Sequence, residues 1–195
     1  MLIKNVIMFQ VATNKNYKVG DKLIFGSEQN GQAKRILNYS SIDKKGRLAT
    51  QGFEKLNNNK TFDKDFLLKL CLALEESDFV LRELAVEHVR KTEFPNLPSR
   101  LTCMFLVDDK NLCLKNFNKF LKKDSTKKYQ MIAVKLDGNV FYAKDVHINN
   151  RGLSLSDHLI EAKKYWSQNQ NSQQTTKEIL FEGTAEVVEI VKQNY

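Results

Sequence analysis

The sequence predicts an α+β fold. Strand-like and helix-like segments alternate irregularly along the chain, and one Asp-Gly dipeptide between β-branched runs is typical of a hairpin. The 195 residues show no internal repeat and suit a single domain, residues 1–195, with a full hydrophobic core. Residues 27–65 are polar and predict a long excursion within that domain.

The first predicted elements are two strands. Residues 3–13 are rich in β-branched and aromatic side chains, which is typical of a central strand, and Gln10 is the polar residue inside this run. Residues 22–25 predict a short strand that ends at Gly26. Both strands come before the polar excursion.

The middle of the chain predicts helices. Asp65 can cap a helix over residues 66–74, and apolar residues at helical spacing predict a helix over residues 80–91. The pattern leaves open whether the two helices are continuous or break near Ser77-Asp78. His88 is expected to pack beside the apolar stripe. The predicted solvent face of the second helix consists of Arg82, Glu83, Glu87, Arg90 and Lys91.

A proline turn and a strand follow these helices. Pro95 and Pro98 lack the backbone N–H that a helix needs, so they end the helix. The polar pair Ser99-Arg100 comes next, and residues 101–107 predict a buried strand. This order can present the two polar side chains at the start of a strand.

The last third of the chain completes the α+β pattern with further helices and strands. Asp108 and Asp109 can cap a helix, and Asp137-Gly138 predicts the turn of a hairpin over residues 129–143. The remaining predictions are a helix capped by Ser156 or Asp157 and ending at Trp166, a loop over residues 167–176, and two strands, 178–181 and 185–191, around Glu182-Gly183.

Composition restricts the classes of function. The net charge of +8 makes an anionic partner plausible, and nucleic acid, a nucleotide or an acidic surface would all fit. The three cysteines do not form a Cys-x-x-Cys pair, and we expect them to be buried and reduced. No apolar segment is long enough to span a bilayer, and the first residues lack a signal-peptide cleavage site, so we expect a cytoplasmic protein without a membrane partner.

Common catalytic and binding motifs are not found in the sequence. The three histidines, His88, His147 and His158, are isolated from other metal-ligating residues, so no metal site is expected. The chain has no glycine-rich nucleotide loop and no Gly-x-Ser-x-Gly elbow. These findings disfavour a doubly wound dinucleotide fold, a P-loop and an α/β-hydrolase.

Three polar features flank or interrupt apolar strands: Gln10, the Ser99-Arg100 pair and Glu178. A polar group at such a position costs free energy unless it is hydrogen-bonded, so each is either paired within the fold or kept for a ligand. For Arg100 the structural alternatives are capping of the preceding helix and pairing with a surface carboxylate.

Three segments are distinctive: LRELAVEHVRKTEFPNLPSRL, YQMIAVKLDGNVF and EILFEGTAEVVEIV. They resemble a bacterial family of unknown function that looks distantly like the ADP-ribosyltransferases. The first strand, MFQVAT, is similar to the strand that carries the NAD-holding histidine in those enzymes, with Gln10 at the histidine's place. The last segment is similar to the strand that carries the catalytic glutamate. Glu178 matches that glutamate best, and Glu186 and Glu182 are lesser candidates.

The resemblance implies an α+β fold with split mixed or antiparallel sheets and packed helices. It implies that the protein binds NAD and transfers ADP-ribose to a nucleic acid or a protein acceptor. In that reaction Arg100 would neutralise the NAD pyrophosphate and Ser99 would form a hydrogen bond with the nicotinamide-side ribose. Gln10 would hold the nicotinamide or the ribose. The alternative is a non-catalytic module that uses the same fold to bind nucleic acid or a protein partner.

Overall fold

A computed structural model describes residues 1–38, 54, 58, 64–167 and 178–195. Most of the predicted polar excursion and nearly all of the predicted loop at 167–176 lie outside the described residues, as does the side chain of the predicted cap Asp65.

The described residues form five strands and four α-helices. The strands are β1 (Leu2–Thr13), β2 (Lys22–Phe25), β3 (Met104–Leu106), β4 (Tyr129–Ala143) and β5 (Glu178–Gln193). The α-helices are α1 (Gly31–Leu37), α2 (Lys64–Glu93), α3 (Lys110–Lys123) and α4 (Leu155–Trp166), with a 3₁₀ turn at Asp145–Ile148.

All five strands belong to one antiparallel sheet, which confirms the α+β class. The order is β1-β4-β5-β2, and β3 pairs with β5. The resemblance implied split sheets, whereas the described strands are joined because β5 pairs with β4 along one edge and with both β2 and β3 along the other. The sheet curls far enough for Phe9 to form an antiparallel bridge with Val107.

The predicted hairpin at Asp137-Gly138 is wrong, and so is the predicted division of the last strand at Glu182-Gly183. β4 and β5 each run straight through these dipeptides, and Gly138 pairs with Gly183. A Cβ placed on Gly138 would lie 2.8 Å from the Gly183 Cα. The glycines therefore allow two long strands to approach closely rather than turn.

The prediction for the residue 80–91 helix was wrong about its solvent face. α2 is one helix of 30 residues with no break near Ser77-Asp78. Glu83 and Glu87, predicted to face solvent, are 1% and 6% exposed, whereas His88 is exposed. Apolar periodicity located the helix but not this polar part of its buried face, because the partners of the two glutamates come from distant segments.

Three smaller predictions also need correction. The strand at 101–107 shrinks to β3 because the Cys103 N–H donates to the Ser99 carbonyl at 2.8 Å and forms a turn. The cap of α4 is Ser154 rather than Ser156 or Asp157. Cys71 is exposed on α2, whereas Cys103 and Cys113 are buried as expected. The cap of α3 is Asp109, as predicted.

The two faces of the sheet carry different cores. Inside the curl, Met8, Leu136 and Phe181 belong to a cluster of buried aliphatic and aromatic side chains. On the other face, α2 and α4 pack over Phe141 and Leu180. Neither these helices nor any other described helix is long and apolar enough to cross a membrane.

Candidate functional site

Arg100 lies at the centre of a buried polar network beneath α2 and α4. The turn that follows Pro98 points its guanidinium inward, and the residue is only 4% exposed. Its Nε donates to Glu83 Oε2 at 2.9 Å, and its Nη1 donates to the Tyr165 hydroxyl at 3.0 Å and to Glu178 Oε2. Arg100 therefore joins its own turn to α2, α4 and β5.

Burial and neighbouring charges shift the pKa values of Arg100, Glu83 and Tyr165. Burial lowers the pKa of Arg100, but Glu178, Tyr165 and Glu83 outweigh it, so the pKa lies well above the usual value. Burial raises the pKa of Glu83, but Arg100 and Arg82 outweigh it and the net shift is downward. Burial and Glu178 raise the pKa of Tyr165, so its hydroxyl stays protonated and donates to Glu178 Oε2 at 2.6 Å.

A second branch of the network is built around Ser99. Its hydroxyl donates to Glu87 Oε2 at 2.9 Å, and its backbone N–H donates to Glu182 Oε1 at 2.8 Å. The Thr102 hydroxyl donates to the same Glu182 oxygen at 2.9 Å, and Arg90 pairs with Glu87. Ser99 thus links a carboxylate of α2 to a carboxylate of β5.

Glu178 is the first residue of β5 and one of two network carboxylates on that strand, the other being Glu182. Both of its bonds from Arg100 and Tyr165 go to Oε2, and Oε1 has no hydrogen-bond partner among the described residues. Its side chain is 20% exposed, compared with 0% for Glu83. Glu178 is therefore held in place and still reaches solvent, and Glu182, whose bonds from Ser99 and Thr102 both go to Oε1, is likewise only partly buried.

Gln10 lies elsewhere, on the wall of a groove of about 700 Å³ between β1 and the β2–α1 region. Ser99, Arg100 and Glu178 do not line this groove. Several of its lining residues nevertheless contact the network. The Phe105 ring centre is 5.3 Å from the Arg100 guanidinium carbon, Gln32 donates to Glu83 at 2.6 Å, and Asn30 donates to the Arg100 carbonyl at 2.8 Å. The groove and the network are neighbours rather than one site.

The fold thus brings Ser99, Arg100 and Glu178 together and leaves Gln10 apart from them. Arg100 does not pair with a surface carboxylate. Of the lesser candidates, Glu182 joins the network, whereas Glu186 is paired with Lys135 at 2.9 Å on the strand's solvent side. A hydrogen bond from Lys135 lowers the pKa of Glu186.

Sequence reasoning missed three direct partners of Ser99 and Arg100, namely Glu83, Glu87 and Tyr165. The two glutamates lie one helical turn apart on either side of the buried Val86, and this spacing was the available signal. Tyr165 stands beside Trp166 and packs edge-on against it, with ring centres 4.7 Å apart, so it looks like a core residue in the sequence.

The chemistry open to this arrangement is that of an oriented carboxylate. No group of three or more His, Cys, Asp or Glu side chains in the described part of the chain could hold a metal ion. A buried arginine and a neutral tyrosine hold Glu178 so that its free oxygen can accept a hydrogen bond or oppose a positive charge.

Comparison with protein families shows the family to which the chain belongs. Residues 8–193 match the family described as protein of unknown function (DUF2441), which spans nearly the whole chain, so the chain belongs to this family. No curated protein matches the sequence.

Proposed function

We propose that the protein is an NAD-binding, ADP-ribosyltransferase-like enzyme that uses Glu178 to transfer ADP-ribose to a nucleic acid or a protein. The observation that supports this most is the state of Glu178, which is held by Arg100 and Tyr165 yet partly open to solvent. The resemblance of the β5 segment to the strand that carries the catalytic glutamate in ADP-ribosyltransferases supports the same residue.

The proposed role of Glu178 follows from the reaction. Cleavage of the bond between nicotinamide and ribose develops positive charge on the ribose, as in glycoside cleavage. A carboxylate that is already oriented can bind a ribose hydroxyl and offset this charge without further reorganisation. Arg100 and Tyr165 supply the orientation because both donate to the same oxygen, which leaves the other oxygen for the ribose.

The contacts of Arg100 and Ser99 change the roles that the resemblance implied for them. Arg100 already donates to Glu83, Tyr165 and Glu178, and Ser99 already donates to Glu87 and Glu182. We therefore propose that both residues position the carboxylates of β5 instead of touching the pyrophosphate or the ribose.

Gln10 keeps its proposed role as the group that holds the nicotinamide or the ribose, which requires NAD to extend from its groove to Glu178 in the neighbouring network. Its groove of about 700 Å³ lies within the range of small-molecule sites in proteins. Exposed Lys15, Lys22 and Lys34 line the same groove and provide positive charge for a pyrophosphate. The hydrogen bond from Gln32 to Glu83 couples this groove to the Arg100 network.

The test is nicotinamide release from NAD by purified protein. We expect the wild type to release nicotinamide and Glu178→Gln to lose at least 100-fold in rate, because the amide carries no negative charge. Glu189→Gln is the matched control: Glu189 is also on β5 but its side chain is 53% exposed and paired with Lys110. It should keep the wild-type rate.

Calorimetry separates binding from turnover. We expect wild type and Glu178→Gln to bind NAD with similar affinity, and Gln10→Ala to bind it at least fivefold more weakly. Absence of both NAD binding and nicotinamide release in the wild type would refute the proposal and leave the non-catalytic module as the better description.

We also propose the cytoplasm as the protein's location. Cys71, Cys103 and Cys113 are all free thiols, and unpaired cysteines are typical of a reducing compartment.

A further inference from the structure

Most of the net positive charge of the chain is concentrated in α3 and the loop after it. Residues 110–128 contain seven lysines and one aspartate, a net charge of +6, compared with +8 for the whole chain. α3 itself carries five lysines and no carboxylate. We name the lysine face from four of these residues, Lys115, Lys119, Lys122 and Lys123.

The lysine face points into solvent. α3 buries Cys113 and Phe117 against the sheet, which turns the four lysines to the opposite side of the helix. Successive lysines of the stripe 115, 119 and 123 are one turn apart, a separation of roughly 6 Å. None of the four forms an ion pair with a described residue, whereas Lys163 and Lys164 of α4 are paired with Glu93 and Glu161.

An exposed aromatic ring adjoins the lysine face. Phe120 is 40% exposed, and its ring lies nearly parallel to that of Tyr129, with centres 6.1 Å apart and an angle of 20°. Phe120 lines a groove of about 350 Å³ whose wall also includes Lys123 and the ion pair of Lys127 with Asp124. A phenylalanine open to water between lysines offers a flat apolar surface that nothing in the described fold covers.

A second exposed ring lies close to the same loop. Tyr195 is 41% exposed, and the Lys128 ammonium lies 5.3 Å from its ring centre. The Tyr195 hydroxyl donates to the carbonyl of Lys15, and Asn14 donates to the carbonyl of Lys128, so these segments are held together. The surface therefore combines exposed rings with unpaired lysines.

We propose that this surface binds single-stranded nucleic acid. Lysines neutralise phosphates, and an exposed aromatic ring stacks on a base whatever its identity. A single strand fits better than a duplex, because the bases of a duplex are already stacked on one another. An acidic peptide would use the lysines but would leave Phe120 without a role. The inference goes beyond the proposed NAD chemistry and does not depend on it.

The first measurement is fluorescence anisotropy with a labelled mixed-sequence 20-mer, as single-stranded RNA, single-stranded DNA and the matching DNA duplex. We expect both single strands to bind at least tenfold more tightly than the duplex. If four lysines contact phosphates, the slope of log K against log salt concentration is about −3. The assay contains no NAD, so its result is separate from the test of Glu178.

Three variants locate the surface. Lys119→Ala/Lys123→Ala should weaken binding about tenfold and make the salt slope shallower by about 1.4. Phe120→Ala should weaken binding about tenfold with an unchanged slope, because it removes stacking rather than charge. The matched control is Lys163→Ala/Lys164→Ala, which removes the same charge from α4 and should bind like the wild type.

Two outcomes would overturn the proposal. One is the absence of saturable binding to either single strand at about 50 mM salt, where phosphate contacts are strong. The other is binding of the duplex as tightly as the single strands together with no effect of Phe120→Ala, which would indicate a general polyanion surface. Retained thermal stability of the variants excludes unfolding as the cause of lost binding.

Discussion

Replacement of Arg100 by methionine is the sharpest test of the buried network. Methionine keeps much of the apolar stem but removes the cation from between Glu83 and Glu178. Glu83 has a side-chain exposure of 0%, so water cannot solvate its carboxylate once the arginine is removed. Arg82 stays within 3.1 Å of Glu83 and offsets only part of the loss.

The expected loss in the free energy of unfolding is about 4 kcal/mol, since removing one partner of a buried ion pair costs roughly 3–5 kcal/mol. The assay is urea unfolding followed by the fluorescence of the single tryptophan, Trp166, which is 2% exposed and packs against Tyr165. With a urea dependence of about 2 kcal/mol per M, the midpoint should fall by about 2 M.

A control variant and a double variant distinguish the effect of leaving a buried charge unpaired from the effect of removing any arginine side chain. Arg151→Met removes an arginine whose side chain is 71% exposed and should change stability by less than about 0.5 kcal/mol. Glu83→Met/Arg100→Met should be at least about 1 kcal/mol more stable than Arg100→Met, because it removes the stranded carboxylate as well. A loss below about 1 kcal/mol for Arg100→Met, or a double variant no better than the single, would refute this reasoning.

Two further predictions concern stability in acid and the close approach of β4 and β5 at Gly138 and Gly183. Because the pKa of Glu83 is lowered in the fold from its usual 4.5, its contribution is complete above that pH and is lost as the pH falls through the lowered value. The unfolding free energy of Glu83→Gln should therefore fall less steeply with acid than that of the wild type, and equal slopes in urea titrations would contradict this. Gly183→Ala should cost about 3 kcal/mol or more, since its φ is +138° and the new Cβ would lie 2.5 Å from the Asp137 carbonyl oxygen. In the control Gly31→Ala the new Cβ would meet no atom within 4 Å, so the thermal midpoint should stay within a few degrees of the wild type. A similar loss of stability for both variants would show that the close approach of the strands is unimportant.

Local pattern was enough to identify most elements of the fold. A β-branched run predicts β1, helical spacing predicts α2 and α3, and an aspartate cap marks the start of α3 at Asp109. These features depend on side-chain periodicity and hydrogen bonds within a few residues, which the sequence contains in full. The polar residues Ser99, Arg100 and Glu178 were likewise recognisable, because polar groups beside apolar strands need an explanation.

Tertiary structure decided how those pieces meet. The dipeptides Asp137-Gly138 and Glu182-Gly183 both look like turns, and only the pairing of β4 with β5 shows that each glycine makes room for the other. Glycine permits a tight turn and a close approach of two paired strands equally well, so the dipeptide alone does not predict which of them forms.

The sequence by itself determined the α+β class, most helices and strands, and the polar residues that require partners. Only the tertiary structure decided that Glu83, Glu87 and Tyr165 are those partners and that Gln10 lies in a separate groove. The physical reason is that a buried charge is stabilised by groups distant in sequence: Glu83 and Glu178 are 17 and 78 positions away from Arg100. Such pairings follow from how the sheet and helices pack, which no local pattern specifies.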